Sequence, residues 1–318
     1  MRINNVLLNN AKRAGFISKI EVVSQQAVAN TDYQIKAEDI ISRQGNGEDL
    51  TFFQKNQILN HWLESYASYK SDAWAKLPKL PITKSQIVNV LSGNPSLSNG
   101  DNTFLFFDDF ADGDYTNNPT WTVQAGTWNA SAFNLLTATQ ADRITALTSQ
   151  AYGRWVWDFK FDSDDGAEVG NSFLLQFIHD VTTAPISNGN GYGIYINNNP
   201  NDIQFYLRRT LDGTGAIIGG VQTWVQGTDW HTVEVTRDAN DEFKVYLDDV
   251  LKITVTDDNI VESTYINIDN YRANAVGGDK RVDNFRFCKY ASPEPLIIKR
   301  KISGKAGIIK AVCGGISS

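Results

Sequence analysis

Residues 230–257 read WHTVEVTRDANDEFKVYLDDVLKITVTD, and this stretch decides the fold of the chain. Apolar and polar residues alternate along it, and turns rich in Asp and Asn interrupt the alternation. At least ten such runs lie between residues 104 and 287, with no helical window among them. This spacing predicts an all-β sandwich or barrel. Several strands alternate on one face and carry aromatic residues on the other, which favours a jelly-roll sandwich of two stacked sheets.

The N-terminal part of the chain has a β pattern of its own. Alternating apolar positions occur in ISKIEVVS (17–24) and TDYQIKAE (31–38), and 318 residues suffice for two modules at roughly 150 residues each. We therefore expect an N-terminal arm (1–16), a small β-domain (17–102), the sandwich (103–288) and a basic C-terminal arm or strand (289–318). The last segment is expected to pair with the N-terminal module or with a neighbouring subunit.

Five short blocks of the N-terminal part stand in a characteristic order: TDYQIK (31–36), HWLESY (61–66), DAWAKLPKLP (72–81), IVNVLSGNPS (87–96) and NGDNTFLFFDDF (99–110). This order resembles DUF2341, a family of uncharacterised β-domains, over roughly residues 17–110. Val90 and Leu91 stand where the family has tyrosines. The resemblance implies a small β-domain of the kind that often precedes a lectin-like sandwich on surface and phage proteins. It implies architecture and little chemistry.

A second set of blocks spans the sandwich: DDFADGDY (108–115), WTVQAGTW (121–128), WHTVEVTR (230–237), FKVYLDD (243–249) and VDNFRF (282–287). These resemble the laminin-G and concanavalin A-like lectin/glucanase superfamily over residues 103–288. The resemblance implies that the first and last strands pair side by side. Asp248 and Asp249 stand where the family commonly has Asp-Gly.

The charge of the chain is strongly partitioned. Residues 101–287 hold 27 Asp and Glu against 12 Lys and Arg, a net charge of −15, and the remainder holds 9 against 17, a net charge of +8. An acidic sandwich repels phosphate, so we expect no nucleic-acid binding through it. The basic C-terminal segment suits an acidic partner or nucleic acid, and equally an edge strand guarded by lysines.

Residues 1–20 contain no apolar run typical of a secretory signal, and no segment of the chain approaches the ~18 apolar residues of a membrane span. Cys288 and Cys313 are too few for a disulfide framework. We therefore expect synthesis in a reducing cytoplasm without membrane insertion, whereas lectin-type folds usually work outside cells. A virion protein, assembled in the host cytoplasm and displayed on the virion surface, reconciles the two.

Glycoside hydrolysis requires two carboxylates placed across the scissile bond, and the sandwich glucanases supply them from a Glu-x-Asp-x-x-Glu strand. That strand is missing. The sandwich contains four glutamates: Glu168, Glu234, Glu242 and Glu262. No two of them share a strand at a suitable spacing, and the pair Glu234/Asp238 is expected to face solvent. The three histidines are dispersed, and no zinc or phosphate-binding motif occurs. The sequence therefore predicts a protein that is not an enzyme.

Calcium prefers oxygen ligands from carboxylates and carbonyls. If the first and last strands pair, Asp108 or Asp109 approaches Asp283, so a structural Ca²⁺ is a possible cofactor at these three residues. A second acidic group occurs at 162–166 (DSDDG). For each group taken alone, an Asp-rich turn whose carboxylates cap backbone amides is the favoured explanation.

Aromatic faces that stack on sugars, flanked by amides and arginines, are typical of carbohydrate sites. In GYGIYI (191–196), Tyr195 lies on the more polar face of a strand. We predict a ligand site at Tyr195 and Asn197, with Tyr206 and Arg208 on a neighbouring strand. Core packing is the alternative for these residues, and it is our interpretation for five tryptophans: Trp121, Trp128, Trp155, Trp157 and Trp230.

These observations lead to three hypotheses. The first is a virion structural protein (a tail fibre, spike or capsid decoration) whose sandwich binds cell-surface glycans and whose other partners are virion proteins or copies of itself. The second is an architectural cement protein of a capsid or tail, without a ligand. The third is a glycoside hydrolase with an unrecognised active site.

Overall fold

A computed structural model describes residues 17–25, 30–41, 50–55, 57–67, 70–92, 98–130, 134–137, 141–161, 172–183, 187–199, 202–224, 228–270, 280–302 and 308–309. The expected N-terminal arm (1–16) and most of the segment after residue 302 lie outside these residues. The chain divides into two compact units. The first comprises residues 1–105 and 291–318, and the second comprises residues 106–290.

Strands dominate both units. In chain order they are β1 (Ile17–Val23), β2 (Asn30–Ile41), β3 (Leu50–Gln54), β4 (Gln57–Ile58), β5 (His61–Ala67), β6 (Lys70–Leu80), β7 (Ser85–Ser92), β8 (Phe106–Asp108), β9 (Trp121–Ala125), β10 (Trp128–Asn129), β11 (Leu135–Thr137), β12 (Arg143–Leu147), β13 (Gly153–Phe161), β14 (Ser172–His179), β15 (Gly191–Asn199), β16 (Asp202–Leu211), β17 (Thr214–Gln222), β18 (His231–Arg237), β19 (Glu242–Leu247), β20 (Val250–Thr256), β21 (Tyr265–Asp269), β22 (Lys280–Cys288), β23 (Leu296–Ile302) and β24 (Ile308–Ile309). One short helix, α1 (Gly100–Thr103), precedes β8.

The first unit packs a six-stranded sheet, in the order β24-β23-β1-β7-β3-β4, against a three-stranded sheet, β2-β6-β5. Alternate residues of β2, such as Tyr33 and Ile35, enter the shared core together with Ile20 of β1. On the opposite face of the small sheet, Trp74 meets the ring of Phe104 edge-on at 5.5 Å. Both faces of the three-stranded sheet are therefore covered.

The second unit is a sandwich of two antiparallel sheets. One has the order β10-β11-β22-β13-β18-β19-β20, with β8 also paired to β22, and the other has the order β17-β16-β15-β14-β21-β12-β9. Trp155 of β13 packs on Phe177 of β14, with ring centroids 5.0 Å apart, in one continuous apolar core. The expected all-β jelly-roll sandwich is confirmed, and the alternative of a barrel is excluded for this unit.

The first and last strands of the sandwich pair side by side, as the resemblance implied. Asp108 on β8 lies opposite Phe285 on β22, and Phe106 lies opposite Phe287. After β22 the chain returns to the first unit, where β23 pairs with β1 over seven residues. The basic C-terminal segment thus supplies a strand to the N-terminal module.

Two expectations about burial are wrong. Trp230 was assigned to the core with the other four tryptophans, but 43% of its surface is exposed because it precedes β18 and does not lie within a strand. Asp238 was expected to face solvent, but it is buried at the turn between β18 and β19. There its Oδ1 accepts hydrogen bonds from the backbone N–H groups of Asn240 (2.8 Å) and Glu242 (3.1 Å).

Candidate ligand-binding face

Strands β15 and β16 each present one apolar and one polar face. Ile194 and Ile196 of β15, with Leu207 of β16, point into the core of the sandwich. Since side chains alternate along a strand, Tyr195 and Tyr206 point the other way. We call this side, which faces away from the core, the outer face of the seven-stranded sheet.

The predicted ligand residues come together on the outer face. Tyr195 is paired in register with Tyr206, and their rings stack with centroids 4.8 Å apart and an angle of 22° between the planes. Tyr195 is partly exposed, whereas Tyr206 and Asn197 are only 7% and 8% exposed. The backbone carbonyl of Asn197 also accepts a hydrogen bond from the indole of Trp224 (3.3 Å). Tyr206 and Asn197 therefore support the surface, and Tyr195 provides the accessible ring.

Arg208 lies on the same face of β16 as Tyr206, and two glycines on the neighbouring strands leave room for it and for Gln176. It lies opposite Gly193 on β15, where a Cβ atom would come within 2.8 Å of Gln176. On β17, a Cβ atom at Gly215 would lie 1.9 Å from the Arg208 guanidinium. The guanidinium is partly exposed and occupies the space that the missing side chain of Gly215 leaves on β17.

A row of polar side chains continues across the same face, and the sequence interpretation missed it. Gln176 on β14 is opposite Asn267 on β21, which is in turn opposite Thr145 on β12. All three are at most 3% exposed. Asn267 donates a hydrogen bond from Nδ2 to the carbonyl of Val181 (3.1 Å), so the segment after β14 crosses the face here.

An ion pair lies beside this row. Arg143 on β12 is opposite Asp269 on β21 and donates to its Oδ2 from Nε (3.1 Å) and from a terminal nitrogen (3.0 Å). Burial raises the pKa of Asp269, and the Arg143 charge opposes that rise. The carboxylate is thus engaged with an arginine on the neighbouring strand.

The three predicted calcium ligands lie where β8 and β22 meet. Asp108 accepts hydrogen bonds from the Phe110 backbone N–H and from the Trp121 indole, each at 2.8 Å. Burial, with a smaller contribution from the nearby Asp109 carboxylate, raises the pKa of Asp108 to about 8 and that of Asp283 to about 7. The Asp283 carboxylate accepts from the Asn284 N–H (2.7 Å). Both Asp108 oxygens therefore already have donors from the protein.

Within the part of the chain that the structure describes, no group of three or more His, Cys, Asp or Glu side chains could hold a metal ion. Residues 162–166, the second acidic group, lie outside that part. Calcium at Asp108, Asp109 and Asp283 stays a prediction. Searched over the same residues, no helix is long and apolar enough to cross a membrane.

The glutamates of the sandwich have separate surroundings. Glu234 on β18 pairs with Arg154 (3.1 Å), and Glu242 on β19 pairs with Lys244 (2.9 Å). Glu262 follows β20 in an exposed segment, and Glu168 lies outside the described residues. The absence of catalytic activity stays a prediction.

The model of one protein family matches the chain. It describes a domain of unknown function, DUF2341, and it covers residues 46–124. The resemblance found in the sequence blocks is confirmed, although the match begins later than residue 17 and ends within β9 of the second unit. No curated protein sequence matches the chain.

Several solved structures resemble the chain in fold. The carbohydrate-binding module CBM66 from Bacillus subtilis is 17% identical, over 53% of this chain and 95% of that chain, with a TM-score of 0.43. The β-glucanase of Bacillus licheniformis is 13% identical, over 58% and 98% of the two chains, with a TM-score of 0.44. The potassium-bound carbohydrate recognition domain of Emp46p is 10% identical, over 57% and 95%, with a TM-score of 0.46.

Proposed function

We propose that the second unit binds glycans on the outer face of its seven-stranded sheet, with Tyr195 as the stacking residue. The observation that carries this proposal is the in-register stack of Tyr195 on Tyr206, with Arg208 two residues further along β16 on the same face. The buried Tyr206 ring fixes the orientation of Tyr195 before any ligand arrives, which lowers the entropic cost of binding.

The chemistry of these side chains suits a sugar. The exposed face of Tyr195 offers an apolar surface for the C–H groups of a pyranose ring, and its hydroxyl can donate or accept a hydrogen bond. The Arg208 guanidinium offers several donors in a fixed plane for ring and hydroxyl oxygens. Because residues 101–287 carry a net charge of −15, we expect neutral glycans in preference to sulfated or sialylated ones.

A glycan array probed with the full chain tests this proposal. The matched variants are Tyr195→Ala, which removes the ring, and Tyr195→Phe, which keeps it. We expect neutral glycans to bind the chain and the phenylalanine variant and to lose at least about tenfold in affinity for the alanine variant, which corresponds to ~1.4 kcal/mol. Equal binding by all three proteins, or no glycan bound, would refute the proposal.

A second proposal concerns calcium. We propose a structural Ca²⁺ near Asp108, Asp109 and Asp283, supported by the pairing of β8 with β22, which brings Asp108 and Asp283 onto neighbouring strands. Such an ion should raise the melting temperature of the sandwich, and EDTA should reverse the rise. An Asp283→Asn variant should melt at the same temperature with and without Ca²⁺. An unchanged melting temperature of the unmodified chain in millimolar CaCl₂ would rule the ion out.

For the biological setting we propose a virion tail fibre, spike or capsid decoration. A DUF2341-like module followed by a lectin-like sandwich supports it, since this order occurs on surface and phage proteins. Immunogold labelling of particles purified from the producing cells should decorate their surface. Ordered oligomers that bind no glycan would instead favour the architectural role, and release of reducing ends from β-glucan would establish the hydrolase alternative.

A further inference from the structure

A pocket of about 360 Å³ opens at the end of the sandwich, between residues 149–152 and 261–263. The first segment precedes β13, and the second lies between β20 and β21. The volume is at the lower end of the range for small-molecule sites, ~300–1,000 Å³, and suits one small ligand such as a single sugar residue. None of its lining residues belongs to the group around Tyr195.

Tyr152 is the aromatic residue of this pocket, and it is held on two sides. The Arg237 guanidinium lies over its ring at 4.5 Å, and its hydroxyl donates to Oδ1 of Asp241 (3.0 Å). Arg237 is 1% exposed, whereas 38% of Tyr152 is exposed. The inward ring face is therefore covered by the arginine, and the outward face is presented to the pocket in a fixed orientation.

Arg237 also fixes the opposite wall. One terminal nitrogen donates to the carbonyls of Ile260 (2.6 Å) and Ala151 (3.3 Å), and the other donates to the carbonyl of Asp257 (3.1 Å). Thus a single buried side chain ties both pocket segments to the end of β18. The pocket is formed in the folded chain before any ligand binds.

The polar groups around Tyr152 select the kind of ligand. Gln150 and Glu262 are exposed at the rim, and they offer an amide and a carboxylate that can bind neighbouring hydroxyl groups. A cationic ligand is disfavoured, because Arg237 already occupies the inner face of the ring and repels a second positive charge. A neutral polyhydroxylated ring, with an apolar face for Tyr152 and hydroxyls for Glu262, meets these conditions.

We infer that this pocket is a second, independent sugar-binding site, with Tyr152 as its stacking residue and Glu262 and Gln150 as its hydrogen-bonding partners. It takes a single neutral saccharide residue, for instance the end of a glycan chain. It goes beyond the proposed function, because it requires neither Tyr195 nor Arg208.

Saturation-transfer NMR on the full chain tests this inference, with the methyl glycosides of glucose, galactose, mannose, N-acetylglucosamine and fucose as probes. We expect at least one glycoside to receive saturation. The affinity should fall about tenfold or more in Tyr152→Ala and in Glu262→Ala, and it should be largely kept in Tyr152→Phe. Trp230→Ala is the control, since it removes an aromatic residue of similar exposure outside the pocket.

The Tyr195→Ala variant separates this site from the outer face. Binding that survives Tyr195→Ala and is lost in Glu262→Ala supports the pocket, whatever the fate of the outer face. Saturation that is unchanged in both Tyr152→Ala and Glu262→Ala would overturn the inference, as would the absence of saturation for all five glycosides. If Tyr152→Ala fails to fold, Glu262→Ala alone decides, because that side chain is exposed.

Discussion

Tyr195 and Tyr206 lie directly opposite each other on β15 and β16, with their rings stacked at 4.8 Å. The two residues are chemically identical but differ in exposure, since Tyr206 is buried and Tyr195 is partly exposed. One ring is thus a structural support, and the other is the ring that we propose contacts a ligand.

This difference predicts unequal costs of truncation. Tyr206→Ala should lower the free energy of unfolding by about 3 kcal/mol, in the range for buried aromatic residues. Tyr195→Ala should cost about 1 kcal/mol, because part of the ring is already in water. Urea unfolding followed by tryptophan fluorescence measures both. Equal losses would show that the two rings are buried alike.

Among the charged residues discussed above, we expect the substitution of Arg237 to cause the largest loss of stability. Its guanidinium is 1% exposed and donates to Asp241 (2.6 Å) and to three backbone carbonyls. Arg237→Ala removes a buried guanidinium that serves these four acceptors at once, and it should cost about 3–5 kcal/mol. The partly exposed pair Lys244–Glu242 is the control, and Lys244→Ala should cost less than about 1 kcal/mol in the same urea titration. Similar losses in the two variants would contradict this assignment.

His61 makes the first unit sensitive to acid. Its side chain is buried beside Phe52, and burial lowers the pKa of the imidazole below its usual 6.5. The unfolded chain therefore binds the proton more tightly, so the contribution to stability is present above pH ~6.5 and is lost as the pH falls below it. Hydrogen exchange of β5 amides should accelerate between pH 7 and pH 5, after correction for intrinsic rates. In a His61→Gln variant that acceleration should be absent.

Asp108 secures the junction of the first and last strands of the sandwich. Asp108→Ala removes the acceptor of two buried donors, the Phe110 N–H and the Trp121 indole. At about 1–3 kcal/mol for each donor left unpaired, the expected loss is several kcal/mol. Asp109→Ala, which removes one weaker acceptor (3.2 Å, from the Ala111 N–H), should cost less than about 1 kcal/mol. Melting curves in EDTA measure both variants without interference from metal ions.

The sequence predicted the strands and the buried side of each strand well. Side chains alternate along a strand with a period of two, and this pattern depends on local residues alone. It also predicted that Tyr195 and Tyr206 lie on one face of neighbouring strands. It did not predict that Tyr206 is covered. Alternation shows which side chains share a face, whereas coverage depends on segments that are distant in sequence.

The polar row of the outer face was missed for a related reason. SFLLQFIH (172–179) and YINID (265–269) contain mostly apolar residues, and nothing in their alternation singles out Gln176 or Asn267. A lone amide inside such a strand is a usable signal, since a buried amide requires a partner. The Tyr152 pocket had no local signal, because its two walls are more than a hundred residues apart and meet through the carbonyls bound by Arg237.

The pairing of β23 with β1 has a consequence for the order in which the chain is made. β1 is synthesised before the sandwich, whereas β23, which pairs with its edge, follows the whole sandwich and is synthesised roughly 15–55 s after β1 at ordinary elongation rates. During that interval the sandwich can fold while Ile17–Val23 still presents open backbone groups on one side. The edge of β1 therefore stays open in the nascent chain until Leu296–Ile302 has been synthesised.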